Sequence, residues 1–280
     1  MSKATDTPSW VEGYAVDAEP VLVTGGSGTL GRQVVAELHR SQVPARVLTR
    51  SNQPEPTDGA TTWVTGDLGT GAGLREAVTG VQAIIHCATD PAHASAIDVA
   101  GTQRLTEALS AHTPTAHLVL VSIVGASANP LKYYQAKVAA ETVVTGWAGP
   151  HTILRATQFH SLVEQLTHAR VGPLGLGLGV RGLRFASVDP AHVAVRAVDV
   201  ALSDPRETPV EIAGPETLTA REVAVLTARV RGQARPRIVP IPAVGGVLSA
   251  FARGSNLPGP TAERGGLTYA EWLAQQGISR

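Results

Sequence analysis

Between residues 21 and 31 the chain reads Val-Leu-Val-Thr-Gly-Gly-Ser-Gly-Thr-Leu-Gly, an apolar β-branched run that breaks directly into glycine. Few folds can use such a stretch. The run predicts a buried strand. The following Leu30–Arg40 segment, with Val34, Val35 and Leu38 on one side, predicts an amphipathic helix. Gly26, Gly28 and Gly31 stand at G-x-G-x-x-G spacing, and Gly25 adds another glycine before them. At a strand–turn–helix junction this spacing leaves backbone N–H groups open to a pyrophosphate and lets the helix pack close to the strand. The phosphates then lie at the positive end of the helix. Thr24, Gly25, Gly26, Ser27, Gly28, Thr29, Leu30 and Gly31 are thus the expected dinucleotide-binding residues.

The same alternation continues. Strands are predicted at 45–49, 61–65, 83–87, 117–123 and 152–154, with helices at 74–78, 97–111 and 131–145 between them. Unbroken apolar strands separated by helices imply a parallel sheet covered on both faces, hence a doubly wound α/β fold of Rossmann type. We expect an N-terminal extension at 1–19 and a dinucleotide-binding domain at 20–160. A smaller C-terminal substrate lobe, interleaved with the sheet, is expected at 161–280. In that lobe the stretch 171–182, with Gly172, Gly175, Gly177, Gly179 and Gly182, reads as a mobile surface loop or as a flap over a substrate cleft.

Charge narrows the partners. Lys plus Arg equals Asp plus Glu at 23 each, so nothing general attracts nucleic acid or an anionic membrane. No apolar run is long enough to span a bilayer and none follows a basic start, so a cytoplasmic location and a small-molecule partner are expected. Helices flanking such a sheet often mediate dimers, and a homodimer is left open. Cys87, the one cysteine, lies in an apolar run and reads as a small core residue. The nine histidines show no metal-ligand spacing, so no metal is expected, and His160 reads as a satisfied histidine rather than a cleft residue.

The end of the second strand discriminates between cofactors. An acidic residue there would bind an NAD ribose, but the sequence has Thr49-Arg50-Ser51. A guanidinium pairs with a 2′-phosphate and Ser51 can donate to it, so NADP(H) is favoured over NAD(H). Asp67 and Leu68 close the third strand where an adenine would lie. Ala88 and Thr89 close the fourth beside the ribose and pyrophosphate.

Tyr133 and Lys137 stand four apart on the helix after the fifth strand, which Asn129-Pro130 should start as N-cap and first-turn proline. Lys137 can hold the nicotinamide ribose while its charge favours the tyrosinate; Tyr133 can protonate a carbonyl oxygen, or run the reverse. Ser122, at the end of the fifth strand, could orient the substrate oxygen. Tyr134, the neighbour most easily confused with Tyr133, lies about 100° away around the helix.

Together these residues resemble the atypical short-chain dehydrogenase/reductases, specifically their NmrA-like branch, over roughly residues 20–240. The resemblance rests on Val-Thr-Gly-Gly-Ser-Gly-Thr-Leu-Gly at 23–31, Leu-Thr-Arg at 48–50 and Gly-Asp-Leu at 66–68. Val-Ser-Ile-Val-Gly at 121–125, Tyr-Tyr-Gln-Ala-Lys at 133–137 and Leu-Arg-Ala-Thr-Gln-Phe at 154–159 complete it. It implies a Rossmann domain with a small substrate lobe and a Ser122–Tyr133–Lys137 catalytic set. It also implies an NADP(H)-dependent oxidoreductase acting on a carbonyl, quinone or similar substrate. The same scaffold also carries cofactor sensors without turnover and redox-neutral epimerases or lyases.

Overall fold

Val21–Thr24 forms the first strand, β1, with every side chain buried, as its uninterrupted apolar run requires. In this computed structural model residues 19–50, 61–168, 170–171 and 176–278 are described. After β1 come α1 (Thr29–Arg40), β2 (Ala45–Thr49), β3 (Thr61–Thr65), α2 (Leu74–Val78) and β4 (Ala83–His86). Then follow α3 (Ala100–His112), β5 (His117–Ile123), α4 (Lys132–Thr145) and β6 (His151–Ala156). β1 pairs in parallel with β2 on one side and β4 on the other; β3 joins β2, and β5 and β6 follow β4. The order of succession across the sheet reverses between β1 and β4, which opens a crevice at their carboxyl ends, where ligands of such sheets bind.

The C-terminal part adds α5 (His160–His168), β7 (Arg170–Val171), β8 (Leu176–Val180), β9 (Arg184–Phe185), α6 (Pro190–Ala201) and β10 (Val210–Ala213). It ends with β11 (Leu218–Thr219), α7 (Ala220–Val230), β12 (Ile238–Ile241), α8 (Gly245–Ala252), β13 (Glu263–Arg264) and α9 (Tyr269–Ile278). β10 and β13 extend the main sheet past β6, giving the order β13-β10-β6-β5-β4-β1-β2-β3 with all neighbours parallel. This is the Rossmann-type fold the alternation implied.

Period-two alternation divides the core between the faces of this sheet. Val23, Ile85 and Val119 pack against α1 and α6, while Leu22, Ile84 and Leu118 pack against α2, α3 and α4. Leu22 and Ile84 are fully buried, and truncating either to alanine would cost about 2–5 kcal/mol. A separate cluster of Val163, Phe185, Val223, Tyr269, Trp272 and Leu273 holds the C-terminal lobe together.

Three local expectations are corrected. The glycine-rich stretch is not a plain loop in its described part. Its residues 176–180 form β8, paired in parallel with β12 and antiparallel with β7, because glycines lacking side chains still offer a full hydrogen-bonding ladder; residues 172–175 lie outside the described set. The helix carrying Tyr133 starts later than Asn129-Pro130 suggests. The Asn129 carboxamide accepts from Leu131 N (3.0 Å), so the turn closes first and Leu131 becomes the N-cap. Finally, the helix read at 97–111 opens with a π-helical turn, Ser95–Val99, before α3.

Candidate functional site

The turn after β1 is shaped by what a side chain would strike. Gly25 has φ +71°, and a Cβ there would lie 2.7 Å from the Ala88 backbone; at Gly31 it would lie 2.1 Å from Gly25 O. Gly26 lies against Val47 and out of the cleft. Gly28 is exposed at the N-cap of α1, its N–H donating to Gly25 O (2.9 Å). No side chain caps this helix, so its first-turn amides face the crevice.

Thr24 sits behind the turn. Its hydroxyl accepts from Ala88 N (3.3 Å) and meets His86 Nδ1 at 2.6 Å; His86 Nε2 meets the Thr102 hydroxyl at 3.0 Å, and that hydroxyl donates to Asp98 O. Since each hydroxyl has one proton, His86 must donate from Nε2 and accept at Nδ1. The neutral ring satisfies every partner. Burial pushes its pKa down to about 4, with the Lys137 charge adding to the shift and Asp98 opposing it.

The crevice opens into a cleft of about 1020 Å³. Gly25, Ser27, Gly28, Thr29, Leu30 and Gly31 line its sheet end, as do Arg50, Asp67, Leu68, Ala88 and Thr89. Arg50 is exposed at the end of β2, and Asp67 accepts from Gly69 N (2.7 Å). Ser51 lies outside the described residues. Cys87, expected in the core, is instead half-buried on the cleft wall, since β4 ends at His86 and the chain turns outward there. Desolvation pushes its thiol up to about 12, partly countered by Lys137.

Tyr133 and Lys137 share the face of α4 that looks into the cleft. Lys137 Nζ lies 5.9 Å from the Tyr133 ring centre and donates to Val121 O (3.2 Å). It also forms a buried ion pair with Asp98 (3.0 Å), a residue in the π-helical turn that the sequence reading passed over. Thr89 joins the two groups: its hydroxyl donates to Asp98 Oδ1 (2.6 Å) and lies 2.9 Å from the Tyr133 hydroxyl. Asp90 N also donates to Asp98 (3.2 Å). Ser122 is not brought into this cluster. Val121 and Ile123 line the cleft, so the pleat turns Ser122 to the other face, where its hydroxyl is buried without a partner among the described residues.

The opposite wall comes from the C-terminal lobe. Phe159, Leu162, Leu166, Leu183, Phe185, Leu248 and Phe251 line it, with Tyr134 beside them. Its polar atoms form one chain: Asn256 donates to Gln158 Oε1 (3.1 Å), and Gln158 donates to the Tyr134 hydroxyl (3.3 Å). Burial pushes the Tyr134 pKa up to about 12, opposed by the Gln158 hydrogen bond, so Tyr134 stays a neutral wall residue. His160 is fully buried and satisfied by the Ser187 hydroxyl (2.9 Å) and Leu267 O (3.0 Å). Asp98 left a signal in the sequence, an acidic residue amid Ala, Ile and Val at the start of a helix. Phe251 and Asn256 left none, because only the folded chain brings them to the cleft.

The fold and cleft define a dinucleotide-binding protein of the Rossmann class. A family model described as NAD(P)H-binding matches residues 25–203, and the chain belongs to that family. Its structural neighbours lie in the atypical short-chain dehydrogenase/reductase group of reductases and epimerases. An NADPH-dependent quinone oxidoreductase from Escherichia coli, solved with NADPH, is similar over 92% of this chain and 99% of its own, with TM-score 0.74 and 17% identity. A nucleoside-diphosphate-sugar epimerase from Staphylococcus aureus covers 91% and 99%, with TM-score 0.74 and 14% identity. The triphenylmethane reductase of a Citrobacter species covers 93% and 100%, with TM-score 0.72 and 16% identity. No curated protein sequence matches. Among the described residues no helix is long and apolar enough to cross a membrane, and no group of three or more His, Cys, Asp and Glu is placed to hold a metal.

Proposed function

We propose that this protein is an NADPH-dependent reductase of an uncharged carbonyl or quinone-like substrate, with Tyr133 as proton donor. The observation that carries this reading is that Tyr133 and Lys137 face the cleft together, between the glycine turn and an apolar wall. The glycine turn fits a dinucleotide: Gly28 presents bare backbone to the crevice, where a side chain would fill the space a phosphate needs. Arg50 would pair with a 2′-phosphate, and Asp67 and Leu68 would flank the adenine. Lys137 directs two ammonium protons to Asp98 and Val121 O, leaving one for a ribose hydroxyl. When bound, the reduced nicotinamide supplies a hydride. Tyr133 supplies the proton at the substrate oxygen. Ser122 takes no part, since its hydroxyl faces away from the cleft. The C-terminal lobe excludes water and offers dispersion contact to a flat or aliphatic substrate.

The test is NADPH oxidation against a panel of uncharged quinones, ketones and aldehydes. Turnover of a panel member is expected. NADPH binding without turnover of any member would contradict the reading.

A further inference from the structure

Asp98 takes no part in the reduction proposed above, yet three donors converge on it beside Tyr133. Its side chain is fully buried and receives the Thr89 hydroxyl, Asp90 N and the Lys137 ammonium. It is carried by the π-helical turn Ser95–Val99, a widened turn of a kind often found at functional sites. We propose that Asp98 is a positioning residue that offsets the Lys137 charge and takes the Thr89 proton, so that Tyr133 keeps its own and serves as an acid. The inference rests on the reductase reading above.

The hydrogen-bond directions follow from counting protons. Thr89 has one hydroxyl proton, and a carboxylate paired to an ammonium can only accept, so that proton goes to Asp98. The Thr89 oxygen then offers Tyr133 only a lone pair. The 2.9 Å contact therefore has Tyr133 as donor, and it exists in that form only while the phenol is protonated. A hydrogen bond to the neutral form disfavours the phenolate. The Lys137 ammonium, which alone would favour the phenolate, meets Asp98 at 3.0 Å and acts on Tyr133 as part of a neutral pair.

The other titratable groups around this cluster do not upset the balance. Tyr134, its ring centre 6.3 Å from that of Tyr133, is held neutral by burial. His86, behind Asp98, is neutral with its pKa near 4. Asp90 and His93, on the segment before the π-helical turn, are paired with each other at 3.0 Å on the surface. In the catalytic step the Tyr133 hydroxyl turns from Thr89 to the substrate oxygen; its O–H bond breaks as the substrate O–H bond forms, and solvent beside exposed Thr89 returns a proton to the phenolate.

The experiment is an ultraviolet difference titration of the Tyr133 phenolate, isolated by subtracting Tyr133→Phe, without substrate or cofactor. In Asp98→Asn the phenolate band should appear about one pH unit or more lower than in the wild type, because the Lys137 charge is no longer offset. The alkaline limb of the NADPH-dependent reduction should move the same way. An unchanged titration in folded Asp98→Asn would overturn the proposal. If Asp98→Asn fails to fold, the double variant Asp98→Asn/Lys137→Met decides, since it leaves no bare charge. Its band should coincide with the wild type; a band about one unit higher would show that Lys137 acts on Tyr133 unopposed, and would overturn the proposal. Because the titration needs no turnover, its outcome is separate from that of the substrate panel.

Discussion

The two walls of the cleft are built by different rules. The sheet wall presents backbone: Gly25 and Gly31 leave no room for a Cβ, and the first turn of α1 offers uncapped amides. Its shape is fixed by close contact between β1, β4 and α1, so one added carbon is intolerable. The wall from the C-terminal lobe presents side chains instead. Phe159 and Leu162, Phe185 and Phe251 come from three separate stretches, and Leu162 and Leu166 are 45% and 57% exposed. Backbone walls recognise a constant group, because any side chain would obstruct it. Walls of side chains can be repacked, so they suit the variable substrate.

The sheet wall is most sensitive to a side chain at Gly28. Gly28→Val should leave a folded protein by circular dichroism, because the position is exposed, while weakening NADPH by more than about 100-fold. Tight binding retained by this variant would place the cofactor elsewhere. Arg50 lies on the same wall. Arg50→Ala should weaken NADPH about tenfold and leave NADH nearly unchanged, because only the former carries a 2′-phosphate to pair with a guanidinium. Equal losses in paired titrations would remove the basis for NADP preference. On the other wall, Phe251→Ala should raise the KM of an apolar substrate roughly three- to tenfold through lost burial, with the NADPH Kd unaltered. A matching loss of cofactor affinity would show that the walls are not independent.

The same contrast explains what the sequence disclosed. The six strands β1 to β6, the turn at 24–31 and the cleft positions of Arg50, Asp67 and Thr89 were legible because local chemistry dictates them. An apolar run ending in glycines has few other uses. Ser122 was misplaced and Asp98 passed over for a reason of phase. One residue of pleat turns Ser122 from the cleft, and one widened turn of helix carries Asp98 to Lys137; spacing in sequence reports neither. β8 escaped detection because glycine-rich strands lack the side-chain pattern that marks a strand. Phe251 and Asn256 depend on how the C-terminal lobe docks, and long-range docking leaves no local periodicity.

In the proposed reaction the two walls meet at Tyr133, which gives its proton to the substrate. The most direct test compares the wild type with Tyr133→Phe, measuring kcat for NADPH-dependent reduction alongside the NADPH Kd and Tm. If Tyr133 is the proton donor, kcat falls about 100-fold or more, with Kd and Tm close to the wild type. A kcat equal to the wild type would contradict that role and remove Tyr133 from the chemistry.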